Sequence, residues 1–126
     1  MNPAKRFFYN DPKEFGKHGE AMAVEFLRQK GYQILETNFR KRVGEVDIIA
    51  MSPQKQYVFI EVKARRNARF GYPEEAVSPR KLHKVLITGQ LWLAMKKINT
   101  DNYRLDVISI EMEENDAHIT HFENLS

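Results

Sequence analysis

Two hydrophobic rhythms divide the chain. Residues 11–30 predict a helix: Ala23, Val24 and Leu27 share one face, while Lys17, Glu25, Arg28 and Gln29 lie elsewhere. Asp11 is placed to cap its N-terminus, with Pro12 at the first helical position and Glu14 completing a capping box. Gly31 is a natural residue for the left-handed stop. Period two takes over next, in segments expected at Tyr32–Phe39, Val43–Met51 and Tyr57–Ala64, with Ser52–Gln56 as a turn. A polar loop with glycine and proline covers Arg65–Val77. Ser78 then caps a second helix with Pro79 at its start. Leu82, Val85, Leu86 and Leu93 give that helix a core-facing stripe, and its end is expected near Asn99. Strands at Tyr103–Met112 and, more weakly, Ala117–Glu123 complete the chain. The order α-β-β-β-α-β-β predicts an α/β fold, a mixed sheet flanked by helices.

The second and third strands predict their own register. With a five-residue turn, Met51 opposes Tyr57, Ile49 opposes Phe59, Asp47 opposes Glu61 and Glu45 opposes Lys63. On the other face Val46 meets Val62, Ile48 meets Ile60 and Ala50 meets Val58. A slip by one residue would set Asp47 against Ile60 and spoil both faces. The favoured register puts two carboxylates side by side, with Cβ atoms only about 5 Å apart, which is destabilising unless a cation offsets it. Lys63 could do part of that, and hard oxygen donors at close range suit Mg²⁺ or Mn²⁺ better. Glu20 is a second oddity, because it points with the apolar stripe of the first helix. A carboxylate there needs a partner or must stay neutral. Gly16 and Gly19 beside it would let the helix approach the sheet closely.

Each residue has a plainer reading. Glu-x-Lys on a strand is usually a same-face ion pair, Asp47 alone could be a solubilising edge residue, and Glu20 alone could bond a backbone group. Glu45 either orients Lys63 or simply pairs with it. Glu20, Asp47, Glu61 and Lys63 together favour an acidic active site.

Composition narrows the setting. The 126 residues are 42% hydrophobic and 29% charged, with no cysteine, which predicts one domain without disulfides or thiolate metal sites, residues 1–10 forming an arm. Neither a membrane span nor a secretion signal is visible, so a cytoplasmic protein is expected. Net charge is +3. The basic residues cluster: Arg40, Lys41 and Arg42 before one strand, Arg65, Arg66 and Arg69 after the next, and Arg80, Lys81 and Lys84 on the second helix. Such clusters are as readily solvated loops as phosphate contacts.

Asp47, thirteen residues, then Glu61-Val62-Lys63 resembles the Asp-(x)n-Glu-x-Lys signature of the PD-(D/E)XK nuclease superfamily, whose restriction-endonuclease-like core runs helix, three strands, helix, strand. Val46 rather than proline precedes Asp47. The segments around Gly44–Ala50 and Phe59–Lys63 are similar to those of archaeal Holliday-junction resolvases, which carry a helix-1 glutamate, here Glu20. Gly19-Glu20-x-x-Ala23 and Phe70-Gly71-x-Pro73 add a resemblance to the YraN-like family of uncharacterised bacterial proteins. The resemblance, over roughly residues 14 to 110, implies a metal-dependent endonuclease with DNA, perhaps branched, as substrate. It implies that Asp47, Glu61 and the Val62 carbonyl hold Mg²⁺ or Mn²⁺, with Glu20 binding a second ion or holding water. Lys63 would position that water or stabilise phosphate charge. Arg65, Arg66 and Arg69 would contact backbone phosphates, as would Arg42, Lys81 and Arg80 more weakly. Resolvases act as dimers, and either the Phe7-Phe8-Tyr9 arm or the Trp92 helix could form an interface. The alternative is a nuclease-fold protein that binds nucleic acid, or assists a partner, without cutting.

Overall fold

The apolar stripes of two helices cover opposite faces of one sheet. The computed structural model describes residues 12–66, 77–113 and 116–125. Its elements are α1 (Pro12–Gln29), β1 (Gln33–Lys41), β2 (Gly44–Met51), β3 (Tyr57–Arg66), α2 (Pro79–Met95), β4 (Tyr103–Met112) and β5 (Ala117–Phe122). The expected order holds. Strands lie in the sequence β1-β2-β3-β4-β5, antiparallel except for the parallel pair β3–β4, which α2 connects.

Phe15, Ala23 and Leu27 of α1 pack on Ile48, Ala50, Val58, Ile60, Ile108 and Ile110. On the other face Val85, Trp92 and Leu93 of α2 pack on Ile49, Phe59 and Leu105. Each fully buried leucine or isoleucine contributes roughly 1.5–3 kcal/mol, so these two layers fix where the helices sit. Gly19 lets α1 settle close: a Cβ there would lie 2.6 Å from the Ala64 Cβ. Gly16 has open space around it, so only one of the two glycines serves the approach. Gly31 ends α1 at φ +90°, with Gly31 N–H donating to Arg28 and Tyr32 N–H to Leu27, a Schellman stop.

Ser78 caps α2 as expected, its Oγ accepting from the Lys81 N–H at 3.1 Å. The helix stops at Met95, four residues short of Asn99, because Lys97 turns left-handed (φ 59°) and the Lys97 and Ile98 N–H groups close on Ala94 and Leu93. Trp92 is 4% exposed and its indole donates to Glu36 Oε1 at 2.7 Å, so the side chain itself belongs to the core. Asp11, the Phe7-Phe8-Tyr9 arm, Arg69 and the Phe70–Pro73 motif lie outside the described residues. No helix among the described residues is long and apolar enough to cross a membrane.

Candidate active site

The site forms where two strands part. β2 and β3 keep the expected register from Met51↔Tyr57 to Ile48↔Ile60, and their ladder ends there. Beyond that pair β2 stays with β1 down to Lys41↔Gly44, while β3 follows β4 up to Arg66↔Met112. The expected cross-strand pairs Asp47–Glu61, Val46–Val62 and Glu45–Lys63 are therefore absent from the ladder. Like charges opposed on a hairpin favour opening it, and each strand has another neighbour to satisfy its backbone. Asp47 fills the gap: its Oδ2 accepts the Val62 backbone N–H at 2.7 Å, so a side-chain carboxylate takes a bond the ladder would have made. Strict alternation also breaks here. Val46 joins Phe39 in the core under α2, whereas Ile48 and Ala50 stay under α1. In β1, Asn38 adopts φ 55° between Phe39↔Val46 and Thr37↔Ile48, the twist that accompanies the break. Glu45 pairs with Arg40 (Nε–Oε1 3.1 Å) and not with Lys63.

An open cleft of about 310 Å³ results, walled by Gly44, Glu45, Asp47 and Glu61 on the sheet side and by Arg80, Lys81 and Lys84 of α2. Burial pushes the Asp47 carboxyl up to about 6, the Glu61 carboxylate adds to the rise, and the Val62 N–H opposes it. Glu61 is 5% exposed. Burial raises its pKa, and Lys81 (Nζ–Oε1 3.2 Å) followed by Lys63 holds it back. Lys63 is pulled down by burial and then by the neighbouring Lys81 ammonium, so it holds its proton less tightly than a free lysine. Glu20 enters from α1 beside a second cleft lined by Gly16, Lys17, Asn38 and Arg40. Its pKa is raised by burial and by Asp47, and Oε1 is buried without a hydrogen-bond partner among the described residues. The structure thus brings Asp47, Glu61, Lys63 and Lys81 into one electrostatic unit, with Glu45 and Glu20 at its margins.

The donor set suits a hard cation. Two desolvated carboxylates repel each other, and a third carries an orphaned oxygen; all offer oxygen ligands of the kind Mg²⁺ and Mn²⁺ take. Glu20 is coupled to Asp47 through space without joining it and Glu61 in a tight cage. Among the described residues, the three-residue group whose ligating atoms all lie within 4.8 Å of one another is Asp106, His121 and Glu123, on β4 and at the end of β5. That group already has a cation: Arg104 donates to Asp106 (3.1 Å) and to Glu123 (2.9 Å), and His121 Nε2 lies 2.8 Å from Asp106. It is an ion-pair network centred on buried Arg104 and Asp106 that sequence reasoning missed. The one available signal was Arg104-x-Asp106, opposite charges two apart on a strand otherwise rich in apolar residues.

The basic residues occupy different settings. Arg65 donates to Glu111 on β4, and its Nε and Nη1 are buried without partners among the described residues. Arg66 is exposed beside the Phe15 ring, and Arg42 is exposed in the β1–β2 turn. Lys81, with Arg80 and Lys84, lines the acidic cleft itself, so α2 supplies its positive wall.

Comparison with known proteins finds relatives along most of the chain. The model described as "Uncharacterised protein family UPF0102" matches residues 19–110, the stretch that carries the motifs. A UPF0102 protein of Acetivibrio thermocellus is 46% identical, covering 82% of this chain and 80% of its own. One of Syntrophomonas wolfei is 42% identical over 89% and 96%. One of Persephonella marina is 45% identical over 75% and 81%. Among solved structures, Pyrococcus furiosus SfsA in complex with Ca²⁺ matches with 15% identity and a TM-score of 0.37, covering 90% of this chain and 64% of that one, a likeness too loose to bear on the site.

Proposed function

We propose that this chain, which belongs to the uncharacterised protein family UPF0102, hydrolyses phosphodiester bonds in nucleic acid with the help of a divalent cation. The observation that carries the reading is the parting of β2 and β3, which leaves Asp47 and Glu61 as mutually repelling, half-desolvated carboxylates under two lysines in an open cleft. A purely structural pair of acids at this position would be replaced at a gain in stability. The superfamily resemblance supports the same reading, with DNA as the expected substrate.

Asp47 and Glu61 would hold the ion, with the Val62 carbonyl as a further ligand and Glu20 as a carboxylate near Asp47. When bound, Mg²⁺ or Mn²⁺ would lower the pKa of the attacking water and neutralise charge growing on the phosphate. The residues of the chain do the rest. The Val62 N–H fixes the Asp47 carboxylate, so the ligand does not have to be ordered when the cation arrives. Lys63 Nζ, two residues past Glu61 on the same strand face, orients the water and donates to a phosphate oxygen. Lys81, Arg80 and Lys84 give the opposite wall the charge that a polyanion requires.

The test is cutting of labelled four-way junction, flap, duplex and single-stranded DNA by wild type and Lys63→Ala, with Mg²⁺, Mn²⁺ or EDTA. Metal-dependent cutting by wild type, with loss of more than a hundredfold in a folded Lys63→Ala, is expected. Cutting by Lys63→Ala at the wild-type rate would overturn the role of the lysine. Tight DNA binding with no cutting of any substrate would favour the non-catalytic binder.

A further inference from the structure

Lys81 stands where a helix should not carry a cation. It is in the first turn of α2, two residues after Pro79, next to Arg80, and that turn has no acidic residue. Positive side chains at a helix N-terminus oppose the macrodipole. A local choice that conflicts with local physics is expected where function dictates the residue. The side chain has one strong partner, Glu61, at 3.2 Å, and the two ends of this pair differ. Glu61 is 6% exposed and held on the central strand, whereas Lys81 is 49% exposed and reaches across the open cleft. The more exposed member, with room to move, is the lysine.

We infer that Lys81 is a resident counter-ion that occupies the cation's place on Glu61 until a divalent ion displaces it, and that the released ammonium then contacts the phosphodiester. This inference rests on the metal-site reading above and assigns Lys81 a second role within it. Three features support it. Glu61 is too buried to stay ionised comfortably without a cation, and Lys81 supplies one. A divalent ion on Asp47 and Glu61 would repel an ammonium so close to Glu61 Oε1. The space open to the displaced side chain is the cleft that Arg80 and Lys84 also line, which is where a phosphate would enter. Metal binding and substrate binding are thereby coupled: the loaded site gains a free cation for the nucleic acid, and the unloaded site keeps it masked.

The coupling predicts two effects of opposite sign from one substitution. In Lys81→Met, with the main-chain cap to Ser78 untouched, Mn²⁺ titrated calorimetrically into the metal-free full-length chain should bind about three- to tenfold tighter, because the ammonium paired with Glu61 no longer competes. Binding of a labelled four-way junction and a single-stranded oligonucleotide, measured by anisotropy in Ca²⁺, should weaken about tenfold, with the salt slope reduced by about one. Lys81→Arg should restore nucleic-acid binding. Lys81→Gln replaces Lys81→Met if the latter does not fold. Unchanged or weaker Mn²⁺ binding in the folded variant, with wild type binding normally, would make Lys81 a structural partner only and overturn the inference. If wild type binds no Mn²⁺, or Asp47→Asn binds it equally well, the metal-site reading itself fails and Lys81 falls with it.

Discussion

Replacing Asp47 by asparagine isolates the electrostatic cost of the site. Asparagine keeps an oxygen to accept the Val62 N–H at 2.7 Å and removes only the charge. The wild-type carboxyl is raised from its ordinary 3.8 to about 6, so the folded protein holds that proton more tightly than the unfolded chain does. The penalty is therefore absent below about pH 4, grows as the pH rises to 6, and is complete above it. A rise of that size corresponds to roughly 3 kcal/mol at neutral pH. Asp47 keeps partial access to water, so about 1–2 kcal/mol is expected to survive solvent screening. For a domain of this size that is a melting temperature higher by about 4–8 °C in metal-free buffer. Thermal melts of wild type and Asp47→Asn at pH 4 to 8 in EDTA should coincide at the acid end, separate as the pH rises to 6 and keep a constant gap above it, the variant being the more stable. Saturating Mn²⁺ should then raise wild type by about 2–4 kcal/mol and leave Asp47→Asn unmoved. A variant less stable than wild type at pH 8 without metal would refute the reasoning, because Asp47 would then be a satisfied structural residue.

Other expectations follow from single contacts. Glu20→Gln should melt at or above the wild-type temperature and bind Mn²⁺ more weakly by calorimetry, since Glu20 Oε1 is buried without a partner among the described residues; a large loss of stability would make Glu20 structural. Gly19→Ala should cost about 1–3 kcal/mol in urea unfolding, because its Cβ would meet Ala64 at 2.6 Å, whereas Gly16→Ala should be neutral or stabilising. Asp106→Asn should cost about 3–5 kcal/mol by removing the buried carboxylate of Arg104 and leaving it only the exposed one of Glu123. His121 and Arg104 hold the Asp106 pKa below its ordinary value, so this contribution is present at neutral pH and disappears as the pH falls from about 4 through the lower folded pKa. Asp106→Asn should therefore lose its disadvantage in strongly acidic melts.

Much of the fold was legible because its signals were local. Ser78-Pro79 opened α2, Gly31 closed α1, and alternation in β2 and β3 set the register from Met51↔Tyr57 to Ile48↔Ile60. The same alternation predicts more pairs than the two strands make. It could not show that each strand has a second neighbour, so the ladder stops before Asp47 and Glu45 turns to Arg40. The break has a chemical product, since the freed Val62 N–H is what holds Asp47. Lys81 was legible as a basic residue but not as the partner of Glu61, because one lies on a helix and the other on a strand and no periodicity relates the two. The network of Arg104, Asp106 and His121 was hidden for a similar reason: its members come from two strands and are brought together only by the β4–β5 pairing. Trp92 could be read as core or interface from the sequence, and its burial and bond to Glu36 place the side chain itself in the core.

The most direct test of the account is to locate the cation. Crystals grown with Mn²⁺ and a nucleic-acid ligand should give an anomalous peak at roughly 2.0–2.4 Å from carboxylate oxygens of Asp47 and Glu61, with the Lys81 ammonium moved off Glu61. An anomalous peak at Asp106, His121 and Glu123 alone, or no peak while the nucleic acid is bound, would contradict it.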